Sequence, residues 1–511
     1  MKFLQLFILF LSIFACQEVS DEEVDSQKPP NIIYILADDL GYGDLGCYGQ
    51  EKIETPNIDA LAKSGMKFTQ HYAGSPVCAP SRYMFLTGMH PGHAYIRSNH
   101  EWGERGDVWD YEKAIYDPNL EGQKPIPDQT FTVGESLQKA GYKTALVGKW
   151  GLGAPHTEGL PNRQGFDFFY GYVCQRQAHN LYPRHLWENE EKVWLDNEIV
   201  VPATKLPDGA DPLDSTSYEK FLQKEYAPEL MLDATLKFID ENKDNPFFLY
   251  FATPIPHAPL QVPPKYYMRY VEKFGDEEPY LGGMGYFPHR YPRAAYAGMI
   301  SYLDDQVGIL VEKLKDEGLY DNTLIVFTSD NGPTYNGGTQ SPWFDSGGPF
   351  NIERGRGKGY VYEGGIRVPM IAAWPGVIAP GSTSDEISAF WDMMPTFNAI
   401  AGVDTTIVVD GKNLLPVLNG EKESIGREYL YWEFPSYQGQ QAVRMGNWKG
   451  IRQNIQQGNT EIELYNLEDD LQETTDVSAD HPDIVEKIRN IMTEEHTIPE
   501  LERFRMEALG D

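Results

Sequence analysis

The chain has 511 residues, with 43 Lys and Arg against 76 Asp and Glu, which gives a formal net charge of −33 at pH 7. This acidic balance excludes a nucleic-acid-binding protein, which needs a basic surface, although a local basic pocket for an anionic ligand remains compatible with it. A hydrophobic content of 41% supports a packed core and excludes a disordered chain. The length predicts one large domain and a smaller second one.

The chain begins with an export segment. After Lys2, the apolar run FLQLFILFLSIFA is too short to span a membrane as a stable helix. The run ends in IFAC, which resembles a bacterial lipobox, so residues 1–15 are predicted as a lipoprotein signal peptide and Cys16 as the lipidated residue. The alternative is an ordinary secretory signal in which Cys16 is incidental.

An acidic tether is predicted for residues 16–30. Its SDEE stretch resembles the surface-export signal of lipoproteins in the Bacteroidetes. These features predict an outer-membrane lipoprotein at the cell surface, held there through its lipid anchor. A periplasmic or secreted protein is the alternative location.

Apolar strands then alternate with helices over residues 31–415. In chain order, the pattern predicts a strand in Asn31–Asp39, a helix in Thr55–Gly65, a helix and a strand in Thr132–Gly151, a strand and a Pro-rich loop in Asn245–Pro259, a long helix in Tyr291–Gly318 and a strand in Asn322–Gly332. This alternation predicts an α/β fold whose large, mainly parallel sheet is sandwiched by helices.

Residues 416–511 have a different pattern. EYLYWEF, AVRMGNWKGIRQ and EIELYNL are typical of short antiparallel strands, and a helix is predicted near Pro482–Thr493. We therefore expect a smaller C-terminal α+β subdomain that contains a short antiparallel sheet.

Four oxygen-bearing residues follow two of the predicted strands, and they are Asp38, Asp39, Asp330 and Asn331. Ligands of parallel sheets gather at the carboxyl ends of the strands, so these residues are expected in one cleft. A set of oxygen donors without His or Cys suits a hard cation, Ca²⁺ or Mg²⁺, rather than zinc. The alternative is that each acidic pair only caps or solvates a strand end.

Cys78 lies in SPVCAPSR, between two prolines. The following SRYMFLTG has helical character, so residue 78 is expected near a helix N-terminus, where backbone N–H groups and the dipole stabilise negative charge. Arg82, one turn later, returns to the same face and is able to hold an anion. The alternative is a buried cysteine on a turn.

Together these motifs resemble the formylglycine-dependent type I sulfatases of the alkaline-phosphatase-like superfamily. CAPSR matches the family's C-x-P-S-R signature. Further matches occur in order: ADDLGYGDLGCYG, TPNIDALAKSG, GYKTALVGKWGLG, FLYFATPIPHAPL, MISYLDDQVG, FTSDNG and GRGKGYVYEGGIRVP. The resemblance implies the fold of that superfamily and the activity of a sulfuric ester hydrolase.

The resemblance also implies roles for individual residues. A maturation enzyme would oxidise Cys78 to formylglycine, whose hydrated aldehyde attacks the sulfur of the ester. Arg82 would fix an oxygen of the nucleophile or sulfate, and His257 would protonate the leaving alcohol. Sulfate-binding lysines are implied at Lys149 and Lys358. The ligands of one Ca²⁺ ion are implied at Asp38, Asp39, Asp330 and Asn331.

The chain departs from the family's G-K-W-H-x-G motif, because GKWGLG has Gly151 in place of the histidine. A proton acceptor must then come from elsewhere or be dispensable, and His179 is the leading candidate, ahead of His156 and His185. The segment RQAHNLYPRHLWENE is predicted to be a loop that holds substrate-binding residues, namely Arg176, His179, Arg184 and His185. A second substrate loop is predicted at Ser341–Asn351. The alternative for both segments is that their aromatic residues belong to the core.

These inferences predict an exported sulfatase that acts on a sulfated carbohydrate. An acidic surface lipoprotein fits a marine bacterium that uses algal polysaccharides such as ulvan or carrageenan, by ecological analogy alone. Two alternatives remain open. One is a phosphate or phosphonate ester hydrolase of the same superfamily, and the other is a non-catalytic surface lipoprotein that binds sulfated glycans.

Overall fold

The computed structural model describes residues 28–404 and 407–511. The predicted signal peptide, the lipidation site at Cys16 and most of the acidic tether lie outside these described residues. None of the helices in the described ranges combines the length and the apolar character that a membrane crossing requires.

An eleven-stranded sheet forms the centre of the fold. Its strands are β1 (Asn31–Ala37), β2 (Met66–Tyr72), β3 (Lys143–Lys149), β4 (Phe168–Tyr172), β5 (His185–Glu188), β6 (Glu191–Trp194), β7 (Phe247–Ala252), β8 (Thr323–Ser329), β9 (Arg367–Ala373), β10 (Ser382–Ser384) and β11 (Ser388–Ala389). They lie in the order β10-β2-β9-β8-β1-β7-β3-β4-β5-β6, and β11 pairs with β2. The central strands from β8 to β4 are parallel, whereas β9 runs antiparallel to both neighbours. The predicted mainly parallel sheet is confirmed.

Helices flank the sheet and are numbered in chain order. They are α1 (Pro56–Ser64), α2 (Cys78–Thr87), α3 (Tyr111–Tyr116), α4 (Val133–Lys139), α5 (Ala227–Asn242), α6 (Pro264–Phe274), α7 (Pro292–Asp316), α8 (Ser341–Phe344), α9 (Glu363–Ile366), α10 (Met393–Ile400), α11 (Leu415–Leu418) and α12 (Pro482–Glu494). Alternate residues of β1 point into two separate apolar clusters, because successive side chains of a strand face opposite ways. Tyr34 packs in the cluster of α2 and α10, and Ile35 packs in the cluster of α5 and α7.

Local capping differs from the sequence pattern at one helix. Thr132 and Glu135 form a capping box at the start of α4, with hydrogen bonds of 3.2 and 3.1 Å. Thr55, the N-cap residue of α1, makes no such side-chain cap, and its hydroxyl instead accepts a hydrogen bond from the N–H of Gly46 at 2.8 Å. The helix predicted in Thr55–Gly65 is confirmed as α1.

A second sheet of four antiparallel strands follows, as predicted. Its strands are β12 (Leu430–Phe434), β13 (Gln440–Met445), β14 (Trp448–Gln453) and β15 (Glu463–Asn466). The helix α12 packs on one face of it through Ile488 and Met492. The other face joins the core of the large sheet, where the indole of Trp432 donates to the carbonyl of Ala73 at 3.0 Å.

Candidate active site

Two parallel strands place four polar residues side by side. In the register of β1 and β8, Ala37 lies opposite Ser329, so Asp38 and Asp39 emerge next to Asp330 and Asn331. The backbone N–H of Asp39 donates to Oδ1 of Asp330 at 3.1 Å. Asp39 has a φ of 62°, in the left-handed region that a non-glycine residue adopts at an energetic cost. Such strain at a strand end is a feature of functional sites.

Cys78 is the first residue of α2, where the helix N-terminus favours negative charge. Its side chain is only 3% exposed. The sulfur lies 3.4 Å from Oδ1 of Asp38 and 3.6 Å from Nζ of Lys358. Burial, and then the charge of Asp38, raises the pKa of the Cys78 thiol to about 12. The unmodified thiol is therefore protonated at neutral pH and is a poor nucleophile.

Three cations surround this position. Arg82 donates to Oδ2 of Asp330 through Nε at 3.2 Å and Nη2 at 2.8 Å, and its Nη1 donates to the carbonyl of Lys149 at 2.6 Å. Nζ of Lys149 lies 2.6 Å from Asp38, and Nζ of Lys358 contacts Asp39 at 2.7 Å. Each cation thus contacts a carboxylate, and the ion pairs fix the three positive heads around residue 78.

Burial and the cations act in opposite directions on the carboxylates. Burial raises the pKa of Asp38, but the charges of Lys149, Arg82 and Lys358 outweigh it and hold that pKa well below its ordinary value. Burial and the neighbouring Asp38 raise the pKa of Asp330 to about 6. Carboxylates this close disfavour each other's ionisation, and a bound divalent cation would relieve that repulsion.

Two imidazoles lie beside the same cluster of charged residues around Cys78. His257 follows β7, and its Nε2 lies 3.5 Å from Oδ2 of Asp39. The ring of His179 stacks near that of His257, with a centroid distance of 5.4 Å and an angle of 24° between the planes. Burial, and then neighbouring positive charge, lowers the pKa of each imidazole well below its ordinary value. Both rings are therefore neutral at pH 7 and able to accept a proton.

Gly151 occupies a backbone position that favours glycine, with a φ of +84°. A Cβ built on it would lie 3.2 Å from Oε1 of Gln175. The Gln175 side chain therefore fills the space beside the position where the family motif has its histidine. His156, the weaker candidate, is exposed and packs edge-on against Trp187.

A cavity of about 390 Å³ opens over this cluster. Six of the predicted site residues line it, namely Cys78, Lys149, Arg176, His179, His257 and Lys358. The sequence pattern did not indicate several other lining residues, including Glu101, Trp109, Gln175, Tyr437 and Arg503. These residues lie outside the recognised motifs. The only feature of the sequence that could have indicated them is the presence of large aromatic and basic residues in segments with the composition of loops.

Three of the predicted substrate contacts lie elsewhere. Arg184 donates to the carbonyls of Leu195 and Asn197 and does not line the cavity. His185 is 3% exposed and its Nε2 lies 2.9 Å from Glu121, because it begins the strand β5 rather than lying in a loop. The segment Ser341–Asn351 packs away from the cavity, where Phe344 contacts Tyr296. These side chains do not line the cavity, and their roles in substrate binding stay predictions.

The predicted metal ligands suit a hard cation. Nδ2 of Asn331 donates to Oδ1 of Asp39 at 2.8 Å, and Oδ1 of Asn331 is buried with no hydrogen-bond partner among the described residues. A buried oxygen without a partner beside three carboxylates fits an oxygen-ligated ion. A mixed donor set overlaps it, because ligand atoms of Asp38, Asp39, Cys78 and His257 lie within 4.8 Å of one another. An unmodified Cys78 thiol would favour an ion that takes sulfur ligands, such as zinc. Residue 78 without its sulfur would leave the oxygen ligands, which favour a hard cation.

A buried set of cations around a residue at a helix N-terminus, at the carboxyl ends of a mainly parallel sheet, suits an enzyme that binds an anionic group and stabilises its negative charge. The family model described as Sulfatase matches residues 30–403, and the model described as N-sulphoglucosamine sulphohydrolase, C-terminal, matches residues 356–498. The chain belongs to the sulfatase family, and it is a sulfuric ester hydrolase.

Known proteins similar to the chain agree with this assignment. Human arylsulfatase A is 34% identical over 444 residues, which cover 83% of this chain and 74% of that protein. The N-acetylgalactosamine-6-O-sulfatase of Bacteroides thetaiotaomicron is 29% identical and covers 93% of this chain and 95% of its own length. The solved structure of Ps i-CgsB in complex with k-i-k-neocarrahexaose aligns with a TM-score of 0.70 and 28% identity, covering 92% of this chain and 93% of that one. The predicted family, fold and enzyme class are confirmed.

Proposed function

We propose that the protein removes sulfate from a sulfated carbohydrate, with residue 78 acting as formylglycine. The observation that carries the proposal is the position of Cys78, buried at a helix N-terminus between Asp38 and Lys358. Its raised thiol pKa makes plain cysteine catalysis unfavourable there, so oxidation by a maturation enzyme accounts for the residue better. The carbohydrate substrate class is supported by relatives named for N-acetylgalactosamine 6-sulfate and by the neighbour bound to a carrahexaose.

The side chains around residue 78 would have two kinds of role, neutralising negative charge and transferring protons. Lys149 and Lys358 would neutralise sulfate oxygens, and Arg82 would hold Asp330 and the nucleophile in place. His257, neutral at rest, would first accept a proton and then donate it to the leaving alcohol. His179, a neutral imidazole stacked on His257, would accept the proton that sulfate release requires in place of the missing histidine at Gly151.

We propose that one Ca²⁺ ion is held by Asp38, Asp39, Asp330 and Asn331. When bound, it would neutralise charge on a sulfate oxygen and polarise the nucleophile. The unpartnered oxygen of Asn331 supports the ligand set. The same proposal includes a lipid anchor at Cys16, an outer-membrane location and an algal polysaccharide substrate such as carrageenan or ulvan.

Two measurements test this function. Intact mass should show residue 78 as the aldehyde, about 18 Da lighter than cysteine through one sulfur-for-oxygen exchange and the loss of two hydrogens. Desulfation of defined algal and animal oligosaccharides should then identify the sugar. A protein with unmodified Cys78 that still hydrolyses sulfate esters would overturn the proposed nucleophile, and hydrolysis of phosphonate esters alone would favour the alternative activity.

A further inference from the structure

The cavity extends beyond the reacting centre to two exposed aromatic rings. Trp109 is 69% exposed and Tyr437 is 52% exposed, although both line the cavity. Exposed aromatic rings at the mouth of a polar cavity are a feature of ligand sites, and flat rings of this kind stack on the faces of sugars. The two rings come from distant parts of the chain, since Trp109 precedes α3 and Tyr437 lies between β12 and β13.

Both rings are held in place by their surroundings. The guanidinium of Arg176 lies 5.4 Å from the ring centroid of Trp109. The ring of Tyr437 stacks on Phe434 at 5.8 Å, and three of its atoms lie 3.1 to 3.3 Å from the position of a Cβ on Gly359. Preorganised rings lose little entropy when a ligand binds.

Tyr437 also has a strained backbone conformation. Its φ is 52°, in the left-handed region, which costs a non-glycine residue on the order of 1 kcal/mol. Gly359, against which the ring packs, is the neighbour of Lys358, whose Nζ is 3.6 Å from the sulfur of Cys78. This contact places the Tyr437 ring next to the reacting centre.

Arg503 supplies a cation at the same cavity. Lys149, Lys358 and Arg176 are each ion-paired, with Asp38, Asp39 and Glu101 respectively. Arg503 is exposed, and its guanidinium lies 5.4 Å from the ring centroid of Phe504. Within residues 28–404 and 407–511 it makes no ion pair with a carboxylate, so its charge is available to an anionic group of a ligand.

We propose that Trp109, Tyr437 and Arg503 form a second sugar-binding site, next to the sugar that loses its sulfate. Arg503 pairs with a further anionic substituent, a sulfate or carboxylate, on the same glycan. The inference rests on the proposed function and makes it more specific, because the preferred substrate is an oligosaccharide with at least two anionic groups rather than a sulfated monosaccharide.

Binding tests the site without turnover. In the Cys78→Ala background, calorimetry compares a carrageenan hexasaccharide and a chondroitin sulfate hexasaccharide with N-acetylgalactosamine 6-sulfate. We expect at least one hexasaccharide to bind more tightly than the monosaccharide, and Arg503→Gln to weaken that hexasaccharide about tenfold, with a smaller difference at high salt. Trp109→Ala should weaken it similarly, and Trp109→Phe should restore most of the affinity.

Arg505→Gln is the matched control, because Arg505 is an exposed arginine of the same segment that does not line the cavity. It should leave hexasaccharide affinity unchanged. Equal binding of hexasaccharides and monosaccharide, or no effect of Arg503→Gln beyond that of Arg505→Gln, would overturn the second site. Hydrolysis of a small aryl sulfate by the wild-type enzyme is measured separately, so that failure of the proposed function is distinguished from failure of this site.

Discussion

At the scale of single residues, the reacting centre is a set of buried opposite charges. Three carboxylates face three cations, namely Asp38, Asp39 and Asp330 with Arg82, Lys149 and Lys358. The set is therefore close to neutral before sulfate or a metal ion enters. Removing one member leaves its partner buried and unpaired, which costs about 3–5 kcal/mol. Variants of this set must therefore be assessed for stability as well as for activity.

Replacing Cys78 tests the nucleophile. Cys78→Ala and Cys78→Ser should lower kcat/KM on an aryl sulfate by about 10³-fold or more, because neither side chain can become the aldehyde. The melting temperature should stay close to that of the wild type. Cys47→Ala is the control, because Cys47 lies outside the cavity and should remain dispensable. Substantial turnover by Cys78→Ala would contradict the mechanism.

Replacing Asp330 tests the metal site. Asp330→Asn should reduce bound calcium and activity together, because one negatively charged ligand is lost. The melting temperature should also fall, since Asp330 accepts two hydrogen bonds from Arg82. Elemental analysis of the purified protein measures the ion directly. Stoichiometric zinc in the wild type would instead support the mixed donor set that includes His257.

The two stacked histidines should differ in their effects. We expect His179→Ala to lower kcat about 10²-fold on both an aryl sulfate and a sulfated oligosaccharide, because it removes a proton acceptor. His257→Ala should harm substrates with poor leaving groups most. His156→Ala is a suitable control, because that ring is exposed and does not line the cavity. A His179→Ala enzyme with a raised KM on the oligosaccharide alone would show that His179 only holds the sugar.

At the scale of elements, short-range patterns predicted most of the framework. Continuous apolar runs identified β1, β7 and β8, and the parallel arrangement of β1 and β8 explains why Asp39 and Asn331 meet. Such runs can be recognised in the sequence alone, because buried parallel strands need apolar residues on both faces. The site residues on strand ends could therefore be predicted from the sequence.

The remaining parts of the cavity depend on long-range packing that no local pattern encodes. Trp109, Tyr437 and Arg503 come from loops, and their meeting depends on how the C-terminal sheet joins the large one. The segment containing His185 has the composition of a loop but forms a strand inside the sheet, because β5 hydrogen-bonds to both β4 and β6. Tertiary pairing outweighed local composition there.

At the scale of the whole molecule, buried ion pairs connect the two sheets. Lys449 of β14 lies 2.8 Å from Glu363 of α9 and 3.0 Å from Glu473. Arg97, which follows α2, donates to Glu433 of β12 at 2.7 Å. The chain after the helix of residue 78 is thus fastened to the C-terminal sheet, so the stability of that sheet should influence the geometry of the cavity.

His496 gives this connection a dependence on pH. Its Nδ1 lies 2.6 Å from Glu433 and its Nε2 lies 2.8 Å from Asp511. Burial lowers the pKa of His496, but the two carboxylates outweigh burial and raise that pKa above its ordinary value. A raised folded-state pKa stabilises the protein fully below the unfolded-state value, about 6.5, and this stabilisation is lost as the pH rises through the folded-state pKa.

We therefore expect the wild type to melt at a higher temperature than His496→Gln at pH 6, with a difference that shrinks towards pH 9. Thermal unfolding of both proteins across this range measures the effect, and the difference between them removes the contribution of other titrating groups. His93→Gln is a useful comparison, because His93 pairs with Asp410 at 2.9 Å and also has a raised pKa. Parallel curves for the wild type and His496→Gln would mean that His496 is not charged in the folded protein, and the ion pairs of Arg97 and Lys449 would then connect the sheets without this dependence on pH.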